Sequence, residues 1–284
     1  MVRTLLIAVL CVLFAACNNE NKSADSRIVY VSITPLKSIV EEVTCGDFDV
    51  HVLVPQGASP ETFEPTAKQI ADLNESRFLF QTGLIDFEQS IVGRVGDGVN
   101  VVDLSEGVAL LSGSCSHHHH NHAHGIDPHI WTSPQALMLM VENVRTALVR
   151  EFPDSTKYSD AAERVQQRIE QLDGYCKQRI NDAGVELMMI YHPAYTYFAR
   201  DYGVEQMAIE HDGKEPSPRQ LTSLIETAKA NDVKTIFIQP QYSEDKVRSI
   251  ADECGAEIVV TDPLCDDILA EIRRVTDLIC RTNE

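Results

Sequence analysis

Apolar residues arrive along this chain in two rhythms. Short runs rich in β-branched and aromatic residues alternate with stretches whose apolar positions recur every three or four residues, which predicts strands alternating with helices. Arg27–Ile33 reads as a strand, and Pro35 opens a helix to about Thr44. Phe48–Val54 alternates as a strand and stops at Pro55-Gln56-Gly57. Thr66–Leu73 reads as a helix, and Phe78–Gln81 and Asn100–Val102 as strands. This β-α-β-α-β order predicts a parallel sheet covered by helices.

Pro134 opens a long helical stretch on which Met138, Val141, Val144, Leu148 and Val149 recur, and Pro153-Asp154 breaks it. A second helix, roughly Ser155–Ile180, carries Ala162, Val165, Ile169, Leu172 and Cys176 on one stripe. Its other face is charged and predicts a course along the outside of the molecule. The alternation then resumes. Leu187–Tyr191, Gln206–Ile209, Thr235–Ile238 and Glu257–Val260 read as strands. Pro193–Tyr202, Ser217–Asn231, Ser243–Cys254 and Asp266–Cys280 read as helices. The pattern predicts two α/β lobes, residues 28–154 and 183–284, joined by a long helix over 155–182. A ligand cleft is expected between them, at the carboxyl ends of the strands.

The first sixteen residues follow a different pattern. Arg3 precedes the apolar run Leu5–Ala16, which is too short to span about 30 Å of hydrocarbon and fits a secretory leader. Leu13-Phe14-Ala15-Ala16-Cys17 resembles a bacterial lipobox, with Phe14 where Leu, Val or Ile is usual. Residues 1–16 are therefore expected to be a signal peptide and 17–27 a polar tether lipidated at Cys17, giving an exported, membrane-held lipoprotein.

The 284 residues carry 43 Asp+Glu against 24 Lys+Arg, a formal net charge of −19. That balance argues against a nucleic-acid partner, which needs a basic face, and suits a protein that attracts cations. Beyond Cys17 the cysteines are Cys45, Cys115, Cys176, Cys254, Cys265 and Cys280. None forms a Cys-x-x-Cys pair, and six positions leave fifteen pairings open.

Six of the ten histidines lie in one tract: His117, His118, His119, His120, His122 and His124. Such a tract cannot pack as a core, and its imidazoles bind zinc, copper or nickel without a single geometry. Four further residues each stand at a strand end or a loop–helix junction beside proline. They are Glu61, His129 in Asp127-Pro128-His129, His192 before Pro193, and Asp262 before Pro263. Proline fixes φ and restricts its predecessor, so these loops hold a side chain stiffly. Two imidazoles and two carboxylates make a four-donor set for Zn²⁺ or for the harder Mn²⁺. His51, mid-strand, and His211, beside Asp212-Gly213, read as structural or surface positions. The chain has no Gly-x-Ser-x-Gly, phosphate-binding glycine loop or His-Glu-x-x-His. A closed four-donor site also lacks the open position hydrolytic zinc needs, so carriage is expected and an enzyme is not.

At these segments the sequence resembles the substrate-binding proteins of zinc and manganese uptake ABC transporters. The matching stretches are Ile33-Thr34-Pro35-Leu36, VPQGASPETFEP up to Pro65, IDPHIWTSP around His129, YHPAYTYFARDYGV around His192, GKEPSPRQL from Gly213, IFIQPQYS from Ile236 and TDPLC from Thr261. The resemblance implies two lobes, each with a parallel sheet flanked by helices, joined by a rigid linking helix, with a metal in the cleft. It implies delivery to a membrane permease served by a separate ATPase, and a monomeric carrier. It assigns His129, His192, Asp262 and position 61 to the metal. Zinc members usually read Pro-His where this chain has Pro60-Glu61, and manganese members keep that His but replace the counterpart of His192 with Glu. Either Glu61 or a loop histidine completes the site, while Glu64 is expected to cap or support the next helix. The His tract and the retained nitrogen at His192 favour high-affinity zinc binding. A manganese-binding homologue and a metal-dependent surface adhesin of the same fold are the alternatives.

Overall fold

The computed structural model describes residues 26–112, 125–210 and 213–281. The leader, Cys17, Cys115, the tract His117–His124 and His211 lie outside the described residues. The first lobe holds β1 (Ile28–Val31), α1 (Pro35–Val43), β2 (Asp49–Val52), α2 (Ala67–Leu73), β3 (Phe78–Gln81), α3 (Asp86–Val92) and β4 (Asn100–Asp103). Two long helices follow, α4 (Pro134–Glu151) and α5 (Lys157–Ala183). The second lobe holds β5 (Leu187–Ile190), α6 (Thr196–Tyr202), β6 (Glu205–Ala208), α7 (Pro218–Ala230), β7 (Thr235–Ile238), α8 (Asp245–Cys254), β8 (Glu257–Val260) and α9 (Ile268–Arg281).

Each lobe is a four-stranded parallel sheet, ordered β2-β1-β3-β4 in the first and β6-β5-β7-β8 in the second. The order reverses between β1 and β3, and again between β5 and β7, which opens a crevice at the carboxyl end of each sheet. Strands covered on both faces are continuously apolar. Phe78-Leu79-Phe80 in β3 and Ile236-Phe237-Ile238 in β7 are buried accordingly.

Helix α5 runs 27 residues, about 40 Å at 1.5 Å per residue. It buries Tyr158, Ala162, Val165, Ile169, Leu172, Cys176 and Ile180. Gly184 ends it at φ 62, the left-handed position where a side chain would be strained. It packs on α1 and α4 on one side and on α6 and α9 on the other, so one helix braces both lobes. One apolar cluster accordingly runs from the first sheet through α4 and α5 to α9, and a second lies within the second lobe around β7 and α8.

Further bonds cross between the first-lobe loops and the second lobe. Tyr197 Oη on α6 donates to Asp127 O at 2.7 Å and accepts from Leu111 N at 3.1 Å. Arg200 Nη1 donates to Ala109 O at 2.8 Å, and Ser133 Oγ donates to the Asp201 carboxylate. Trp131 Nε1 donates to Pro263 O at 2.7 Å.

Three details depart from the sequence reading. Helix α3 has no counterpart in the sequence pattern, because seven residues with Phe87 and Ile91 as buried apolar positions are too few to show a period. Helix α6 starts at Thr196 and not Pro193, because Ala194 N turns back to His192 O at 2.8 Å. The cap of α2 is Thr66, whose hydroxyl and Gln69 form a reciprocal capping box, while Glu64 is exposed. Among the described residues no helix is long and apolar enough to cross a membrane.

Candidate metal centre

Three of the four expected donors converge where the two lobes meet. Glu61 sits in a single helical turn, Pro60–Thr62, on the loop between β2 and α2. His129 precedes a similar turn, Ile130–Thr132, that leads into α4. His192 stands two residues past the end of β5. One donor atom from each lies within 4.8 Å of the other two. His129 Nε2 is 3.3 Å from His192 Nε2, and Glu61 Oε1 is 3.2 Å from His192 Nε2. In a tetrahedron with zinc–ligand bonds of 2.0–2.1 Å, neighbouring donors stand about 3.3 Å apart. Two of the three spacings therefore match those of a coordination shell.

Both imidazoles are aimed from behind by buried carboxylates. Asp127 Oδ1 accepts from His129 N and from His129 Nδ1, each at 2.8 Å. Glu210 Oε1 accepts from His192 Nδ1 at 2.5 Å. Once His192 Nε2 has lost its proton, with Nδ1–H held on both rings, each Nε2 turns a lone pair into the same space. A carboxylate behind an imidazole fixes its tautomer and raises its basicity as a metal ligand. Gln239 adds a clamp: its Oε1 accepts from His192 N at 3.3 Å and its Nε2 donates to His192 O at 2.8 Å. The Tyr242 ring lies 6.0 Å from the His192 ring at 30° and covers it.

The electrostatics favour a cation. Burial opposes a charge on His192, but hydrogen bonds and charge from Glu210 and Glu61 outweigh it and push its pKa up to about 9. Burial also works against the Asp127 anion, yet the His129 imidazole beside it brings that carboxyl below its ordinary range. His129 and His192 are each 6 % exposed, and the Asp127 and Glu210 carboxyls behind them are buried, so little water stands between each ring and its partner. The surrounding pocket is walled by Pro60, Ile85, Trp131, Ala194 and Leu264.

Asp262, expected in the same set, is not within this cluster. Its Oδ1 accepts from Leu264 N at 3.0 Å in a local turn, and its own N donates to Glu271 Oε1 at 2.8 Å. It is half-buried on the wall of a neighbouring cavity shared with Thr34 and Gln56, and burial pushes its carboxyl pKa up. His51 is exposed on β2, with Nε2 3.0 Å from Asp49 Oδ2. The sequence reading missed Asp127, Glu210 and Gln239 as supporting groups. Strand register could have found two of them. Ile190 stands opposite Ala208 and Phe237, so two residues further on, Glu210 and Gln239 flank His192.

The high-affinity zinc uptake system protein ZnuA of Bacillus subtilis is 28% identical over 277 residues, covering 91% of this chain and 87% of the relative. The zinc-binding lipoprotein AdcA of Streptococcus pneumoniae is 27% identical over 275 residues, covering 92% of this chain and 55% of the relative. The chain thus spans about half the length of AdcA. A crystal structure of ZnuA superposes with a TM-score of 0.84 at 30% identity, covering 92% of this chain and 100% of the other. The family model described as zinc-uptake complex component A periplasmic matches residues 29–271, and the chain belongs to that family.

Proposed function

We propose that this protein is the zinc-binding component of an ABC transporter, capturing Zn²⁺ outside the inner membrane and passing it to a permease driven by a separate ATPase. The observation that carries the reading is the donor spacing. Two Nε2 atoms 3.3 Å apart and a carboxylate oxygen 3.2 Å from one of them suit a single small divalent cation. The cation is cargo: His129 and His192 bind it through nitrogen, Glu61 through oxygen, and Asp127 and Glu210 hold the rings. Zinc follows from the paired imidazoles and from the names the relatives carry.

Mn²⁺ is the second reading, favoured by the hard carboxylate oxygen that Glu61 brings. The tract His117–His124 would catch metal as an accessory loop, and a lipid on Cys17 would keep the carrier at the membrane. Asp262 stands outside this cluster, its carboxylate accepting from Leu264 N, and would be a fourth donor only if it left that bond. Calorimetry on refolded apo variants tests the assignment. His129→Ala and His192→Ala are expected to weaken zinc far more than deletion of residues 117–124. Equal losses would overturn the cleft site, and a preference for Mn²⁺ in competition would select the second reading.

A further inference from the structure

Glu88 is a fully buried carboxylate outside the metal centre, 0 % exposed on the first turn of α3. Four donors close on it. Its Oε1 accepts from Thr82 N at 3.0 Å. Its Oε2 accepts from Thr82 Oγ1 at 2.7 Å, and from Leu84 N and Ile85 N at 3.1 Å each. The side chain thus gathers the whole turn between β3 and α3. Gly83 within that turn has φ +71, and a Cβ there would come within 3.0 Å of the Asp103 carboxylate. The turn is therefore tightly defined from both sides.

The elements fixed in this way carry the Glu61 turn. Ile85 lines the metal pocket together with Ser59 and Pro60. Phe87, one residue before Glu88, meets Phe63 edge to face with ring centres 5.2 Å apart, and Phe63 is two residues after Glu61. The two imidazoles are held by other groups: His129 through Asp127 and Tyr197, His192 through Glu210 and Gln239. The contacts from α3 to the site run through the Glu61 turn, by Phe87 on Phe63.

We propose that Glu88 is a positioning residue for metal binding: its buried carboxylate fixes the 82–85 turn and α3, and α3 in turn fixes where the Glu61 carboxylate stands relative to the two imidazoles. This rests on the reading of Glu61 as a metal donor. A merely structural Glu88 would affect stability without a specific link to Glu61, so the decisive quantity is coupling between the two positions.

The test measures Zn²⁺ affinity of the full chain against a chromogenic chelator for Glu88→Gln, Glu61→Gln and the double variant, with melting of the metal-free protein alongside. Glutamine keeps one acceptor oxygen and turns an amide donor toward the remaining backbone N–H. Glu88→Gln is expected to weaken zinc about tenfold, and the double variant to bind within about twofold of Glu61→Gln alone, since coupled sites do not add. Losses that multiply, or a lower melting temperature with unchanged affinity, would overturn the proposal. If Glu61→Gln alone binds as tightly as wild type, Glu61 is not a donor and both the reading and the proposal fall. Should Glu88→Gln not accumulate as folded protein, Phe63→Leu interrupts the same contact at a half-buried position. It is expected to weaken zinc in wild type and to be silent in Glu61→Gln; an equal effect in both backgrounds would overturn the proposal.

Discussion

Acidification should strip this site of metal one proton at a time, and the structure sets the window. His192 carries a pKa of about 9 in the metal-free protein because Glu210 and Glu61 together outweigh burial. Its Nε2 must be deprotonated to bind a cation. At pH 7.5 a group with that pKa is protonated about thirty to one, so zinc entry must expel close to one proton from this ring. Apparent affinity should then fall about tenfold for each pH unit lost, or roughly a hundredfold between pH 8 and pH 6. For the fold alone the sign is opposite. A histidine raised from 6.5 to about 9 stabilises the metal-free protein fully below its unfolded pKa, and that contribution is lost as pH rises through 9. Zinc calorimetry at several pH values, repeated in buffers of different ionisation enthalpy, reads both affinity and proton release. An affinity flat from pH 8 to 6, with no proton expelled, would refute the reasoning.

Three other perturbations bear on separate parts of the account. Glu210→Gln removes the carboxylate behind His192. Zinc affinity should drop by about 10–100-fold, and competition titration should show a shallower pH dependence as the His192 pKa falls toward its ordinary value. Glu61→His should strengthen zinc relative to manganese; an unchanged ratio in a two-metal competition would remove position 61 from the donor set. Cys17→Ser should release the protein from the membrane fraction into soluble extract, and continued sedimentation with membranes would refute lipid anchoring.

Much of this architecture was legible because each lobe is built from covered parallel strands. Runs such as Phe78-Leu79-Phe80 and Thr235–Ile238 announce a buried strand without any knowledge of neighbours. The stripe from Ala162 to Cys176 likewise announces the linking helix. Helix α3 was invisible because its two turns owe their place to contacts, Phe87 on Phe63 and Glu88 on the 82–85 turn, that no local pattern encodes.

The same divide runs through the metal centre. Glu61, His129 and His192 stand out as metal-binding residue types beside prolines at element ends, and they meet in space. Asp262 has the same local signature, yet its carboxyl turns into its own loop to meet Leu264 N, a choice set by φ and ψ and not by residue type. Glu210 and Gln239 carry no local signal. They become readable only once β6 and β7 are known to flank β5 in register.

Glu61, His129 and His192 are expected to hold a single metal ion together. X-ray absorption at the zinc edge of the loaded full chain lacking residues 117–124 tests this directly. Two imidazole nitrogens and a carboxylate oxygen at about 2.0–2.2 Å are predicted, with one imidazole lost in His192→Ala. A shell containing sulfur, or one unchanged by His129→Ala and His192→Ala, would contradict it.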